Sequence, residues 1–165
     1  MKPLPITLLA VALAASSCKK EEADALPKAT QTGQHTFGCL VDGKAFGPLP
    51  PQGINSSKGE PLEGYVYRTD LLISARGNGK VDFALRNAFR PGTYAIKETQ
   101  SAMYGRYGFG SDDYLTDNAH TGTVTLTRID TVAKIAAGTF QFTALDYRTG
   151  QTVTVTEGRF DVRLK

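Results

Sequence analysis

The chain has 165 residues, of which 41% are hydrophobic and 21% charged, and 19 Lys and Arg against 16 Asp and Glu give a net charge of +3. That length suits one domain with a real core, and so even a charge balance argues against a nucleic-acid partner, which leaves a clear basic patch. With 2 cysteines and 2 histidines, neither a disulfide framework nor a His-rich zinc site is available from composition.

In chain order, Lys2 precedes an apolar run from Ile6 to Leu13, followed by the small residues Ala14-Ala15-Ser16-Ser17 and then Cys18. These are the three parts of a bacterial secretion signal. The run is too short for a bilayer, which needs ~20 apolar residues. The cysteine directly after small residues resembles a lipobox, although Ala15 stands where leucine is commonest. The resemblance implies cleavage before Cys18 and acylation of its thiol, giving a membrane partner through a lipid anchor. The expected divisions are a signal peptide over 1–17, a lipidated cysteine and tether over 18–34, and a β domain over 35–165. Removing residues 1–17 takes away Lys2 and no acidic residue, so 18 basic residues then face 16 acidic ones, a net +2. Lys19-Lys20-Glu21-Glu22 resembles the surface-export signal of Bacteroidota lipoproteins, which implies the outer face of the outer membrane. Ala23 to Gln34, small, polar and Pro-containing, reads as a flexible tether.

From there, period-two alternation broken by Gly-rich turns predicts strands. Phe37, Cys39 and Val41 share one face, and Asp42-Gly43 signals a two-residue hairpin into Lys44-Ala45-Phe46. On that face Cys39 is a small apolar core residue rather than a nucleophile. Gly47 to Gly64 reads as irregular. Asp70 to Ala75 is a strand, Gly77-Asn78-Gly79 a turn, and Val81, Phe83 and Leu85 the inward face of the next strand. Pro91-Gly92 leads into Tyr94 and Ile96, Lys97 to Met103 has room for a short turn, and Tyr104 to Gly122 again reads as irregular. Thr123 to Thr127, the region from Lys134 to Ala137, Thr139 to Ala144 and Thr152 to Thr156 alternate clearly, and Phe160, Val162 and Leu164 resume an apolar face after Glu157-Gly158. Gly158 suggests a bulge or sharp turn. The fold class is all-β: an antiparallel β-sandwich, or a partly closed barrel, of about 8–9 strands.

The segment 104–118 concentrates functional side chains: four aromatics, three carboxylates and Asn118. Read as a long connection projecting from the scaffold, it is the best candidate contact site. Tyr107, Phe109 and Tyr114 offer faces for stacking on a sugar, and Asp112 and Asp113 accept hydrogen bonds from a polyol. Asp112, Asp113, Asp117 and Asn118 together supply several of the oxygens Ca2+ requires, without EF-hand spacing. The competing reading is a hairpin connection with its rings packed beneath it and its carboxylates in water. His35, at the tether junction, and His120, in a loop, read as exposed polar positions.

Two stretches carry a family resemblance. One is Leu26-Pro27-Lys28-Ala29-Thr30-Gln31-Thr32-Gly33, continuing from His35 to Lys44. The other is Gly122 to Asp130, then Ala137 to Phe142 and Gly158 to Val162. Together they resemble the domain-of-unknown-function family 6252 of Bacteroidota lipoproteins. The resemblance implies an envelope location and a β-rich domain, and it brings no catalytic residues. The expectation is a non-catalytic lipoprotein that binds or supports something in the envelope, its partner an unknown envelope protein or a glycan. A carbohydrate-binding module of a glycan-uptake system is the alternative, and a hydrolase the weaker one.

Overall fold

A computed structural model describes residues 25–49, 59–97 and 103–165. Among them are eleven strands, β1 Thr36–Val41, β2 Lys44–Phe46, β3 Leu62–Tyr67, β4 Asp70–Gly77, β5 Gly79–Leu85, β6 Gly92–Ile96, β7 Tyr104–Phe109, β8 Asp112–Leu115, β9 Gly122–Asp130, β10 Ile135–Leu145 and β11 Thr152–Arg163. The all-β, antiparallel expectation holds. Of its two forms the partly closed barrel is the one present, because every strand belongs to one hydrogen-bonded sheet.

The sheet runs β2-β1-β11-β10 and forks at β10. Residues 135–142 of β10 pair with β9, which carries β6 on its far side. At its end, Leu145 pairs with Leu115 of β8, and the sheet continues through β7, β5, β4 and β3. It then curls until β3 meets β11 again: Gly64 bridges Leu164 in parallel, and Lys165 N donates to Gly64 O at 3.0 Å. Gly64 is required at this seam, since a Cβ there would sit 2.7 Å from Val162 Cγ1.

Inside the curl, alternate residues build the core. Phe83, Phe140 and Phe160 pack with ring centroids 5.1 to 6.2 Å apart, and Phe37 stacks on Phe140 at 5.1 Å. Val153 and Val155 face inward at odd positions, Phe160, Val162 and Leu164 at even ones. The change of parity is made by a bulge: Glu157 takes φ 53°, and the register against β10 slips between Phe140 and Phe142. The interruption at Glu157-Gly158 is thus a bulge within one 12-residue strand. Cys39 lies in the same core with 0% of its surface exposed.

Three stretches differ from the reading of the sequence. Residues 104–115, expected as an irregular connection, form the β7–β8 hairpin; its Gly and polar content masks an alternation that pairing across the sheet stabilises. The stretches around 134–137 and 139–144 are a single strand, β10, in which Gly138 is accommodated by a register shift against β9. Packing also extends upstream of His35, since Leu26, within the stretch expected as a tether, is buried. The expected turn around 97–103 falls largely outside the described residues.

Candidate functional site

Two-residue turns decide where the site forms. Asp42 (φ 48°) and Gly43 (φ 80°) close the β1–β2 hairpin, and Gly110 (φ 61°) with Ser111 closes β7–β8. Both turns stand at the same end of the curled sheet as the 146–151 connection. Strand alternation then fixes which side chains enter the mouth. Gly105 faces Phe142 and Ile96 in the interior, so Tyr107 and Phe109 follow it on the inward face. Across the hairpin Tyr107 pairs with Tyr114, and Phe109 with Asp112.

The result is a depression of about 270 Å³ lined by Val41, Asp42, Lys44, Tyr107, Phe109, Asp112, Tyr114 and Val153. Such a barrel mouth is a common ligand position. The rings of Tyr107 and Tyr114 lie 5.9 Å apart at 34°, half-buried against the core, while Phe109 is 48% exposed. Burial and then the Tyr114 phenol raise Tyr107 above the ordinary value, and burial and then Asp112 raise Tyr114, so both remain donors at neutral pH. Neither hydroxyl has a hydrogen-bond partner among the described residues. A second depression of about 380 Å³ adjoins the first across Val41, Lys44 and Tyr107 and runs along Phe46, Pro48 and Leu49.

Charge at the rim is mostly internally satisfied. Arg148 Nη2 donates to Ser111 O at 3.0 Å and Asp112 Oδ1 at 3.1 Å, and lies 3.6 Å from buried Asp146 Oδ2. Asp42 Oδ1 accepts from Thr154 N and Oγ1 at 2.8 and 2.9 Å. Lys44 is the rim cation without an ion pair among the described residues.

Of the five ligand-contact residues expected from the sequence, Tyr107, Phe109, Asp112 and Tyr114 come together here. Asp113 does not. It pairs with Gly108, so alternation turns it to the outer face, where Arg106 Nε and Nη2 grip it at 2.6 and 3.0 Å. Nor are the oxygens considered for Ca2+ gathered. Asp112 and Asp113 point to opposite faces, and Asp117 accepts from the N–H groups of Ala119 and His120 at 2.8 and 2.6 Å. Among the described residues no three His, Cys, Asp or Glu side chains are placed to share a metal. Asp42, Lys44 and Val153 were missed as site residues; the Asp-Gly hairpin signal together with inward Val41 was the available clue that this turn rims the interior. Cys18 lies outside the described residues.

The remaining reactive groups are engaged elsewhere. Burial pushes the Cys39 thiol up to about 12, so it is not a thiolate at neutral pH. His35 bonds Leu62 O and Arg163 N, both at 3.2 Å, and His120 Nδ1 is 3.0 Å from Asp117.

Against known proteins, a family model described as domain of unknown function DUF6252 matches residues 65–162. That span holds Tyr107, Phe109, Asp112, Tyr114 and Val153 and leaves out Asp42 and Lys44. No curated protein and no solved structure matches the chain.

Proposed function

From the premise that the chain belongs to the DUF6252 family, we propose that it is a lipid-anchored protein of the outer membrane, facing the cell surface, whose β domain is a non-catalytic binding module. Support for the anchor comes from the sequence: the apolar run Ile6–Leu13, the small residues and Cys18. Support for the outer face comes from Lys19-Lys20-Glu21-Glu22. The observation that carries the binding role is the mouth, where exposed Phe109 and the half-buried rings of Tyr107 and Tyr114 line one depression at the end of the sheet. Cys18→Ala should abolish acylation and leave the protein soluble or unprocessed on fractionation. If that variant is still cleaved and still sediments with membranes, the anchor reading is wrong. Protease shaving of intact cells tests the outward orientation.

A carbohydrate is the second reading for the ligand. It is favoured by half-exposed Phe109 beside Tyr107, because an aromatic face covers the apolar face of a pyranose while Asp42, Asp112 and the phenols bond its hydroxyls. Titration of the protein with a panel of neutral and acidic oligosaccharides, alongside Phe109→Ala, checks it. Binding that is indifferent to the ring would count against this site.

A further inference from the structure

The segment ahead of β1 is gripped from both sides. The carboxylate of Asp161, 0% exposed, accepts from Thr30 Oγ1 at 2.6 Å, Gly33 N at 2.8 Å, Thr32 N at 3.0 Å and Gln34 N at 3.1 Å. Successive N–H groups thus form an anion nest, and the anion is the barrel's own side chain. Three arginines hold the segment's carbonyls: Arg128 to Gln31 O at 2.7 Å, Arg163 to Gly33 O at 2.8 Å and Arg159 to Pro27 O at 3.3 Å. Leu26 is buried, and Pro27 lies where a Cβ on Gly38 would go, 2.5 Å from its Cδ. A composition that reads as a spacer is therefore a strap closed along β1 and β11.

We propose that this strap sets how far the domain stands from the membrane, an inference that rests on the lipid anchor at Cys18. With the strap closed, the chain between Cys18 and the held Leu26 has a contour of at most ~29 Å. With the strap open, the link extends to His35 and its contour reaches at most ~61 Å. The point of departure changes as well. A closed strap leaves the domain beside Gly38, part-way along β1. An open one leaves from the start of β1, the end of that strand away from Asp42 and the mouth. Closing the strap therefore keeps the mouth near the lipid surface, and opening it lets the mouth stand farther off.

The test uses the full-length lipidated protein in supported bilayers. A fluorophore is placed on Gln151→Cys, exposed in the 146–151 connection at the mouth end of the sheet, and energy transfer to a headgroup-labelled lipid is recorded. Asp161→Ala removes the acceptor of four hydrogen bonds. Gly38→Val is the second variant: it suits a strand and occupies the place of Pro27 without entering the core. Lys28 is the one trypsin site between Leu26 and His35, so cleavage after it reports strap opening directly. We expect both variants to speed that cleavage at least ~tenfold, as local opening becomes cheap, and to lower transfer relative to the parent protein. Folded, bilayer-bound variants with faster cleavage and unchanged transfer would overturn the spacing role. Unchanged cleavage in both would overturn the strap. Parent protein that fails to acylate or to hold to the bilayer would overturn the anchor itself, and the spacing role with it.

Discussion

Tyr107 and Tyr114 face each other across the β7–β8 hairpin with ring centroids 5.9 Å apart, and both also line the mouth. The pair therefore serves packing and contact at once, whereas Phe109, 48% exposed, serves contact far more than packing. Tyr107→Ala should cost roughly 1–3 kcal/mol of stability, the ring-pair part being about 0.5–1.5 kcal/mol. Phe109→Ala should stay within about 0.5 kcal/mol. Thermal and urea unfolding of the two variants separates these values. Equal losses would mean that Phe109 is packed as firmly as the tyrosine.

Cys39 should be chemically silent. With no exposure and its thiol pushed up to about 12 by burial, it should resist a thiol reagent at pH 8 until denaturant is added. Cys39→Ser places a hydroxyl among Phe37, Phe46 and their neighbours and should destabilise by about 1–3 kcal/mol. Rapid labelling of the native protein would show that this part of the sheet opens readily.

Asp117 predicts an acid response. The backbone N–H of His120, then the Tyr147 hydroxyl and the N–H of Ala119, hold its carboxyl at about 2 instead of 3.8. The folded value is depressed, so the contribution to stability is present in full above about pH 4 and is lost as pH falls towards 2. Melting temperatures recorded from pH 6 to pH 2 should show a smaller acid-side decline for Asp117→Asn than for the parent chain. Identical slopes would place the acid sensitivity elsewhere.

Gly64 tests the closure of the barrel. A methyl there meets Val162 Cγ1 at 2.7 Å and Ile73 Cδ1 and Leu164 Cδ2 at 3.2 Å, all interior groups with little freedom. Gly64→Ala should destabilise by roughly 1–3 kcal/mol and speed amide exchange at Lys165, whose N–H bonds Gly64 O. Loss of stability with exchange unchanged would show that the seam adapts without opening.

Much of this protein was legible in its sequence. Alternation in Thr123–Thr127, Thr139–Ala144 and Thr152–Thr156 specified strands with one apolar face, because a period of two can bury only one side. Asp42-Gly43 specified its hairpin, because adjacent left-handed residues suit that turn. The same local rule placed Cys39 inside with Phe37 and Val41. The tertiary structure decided what depends on strands distant in sequence. Tyr104 to Leu115 became a hairpin because β5 offered an edge to β7, a pairing no local pattern announces. Asp112 reached the mouth and Asp113 the outer face because register, set by Phe109 opposite Asp112, assigns neighbours to opposite sides. Residues 26–34 look like a linker by composition and are a strap because Asp161, about 130 positions away along the chain, supplies the buried anion that their N–H groups surround.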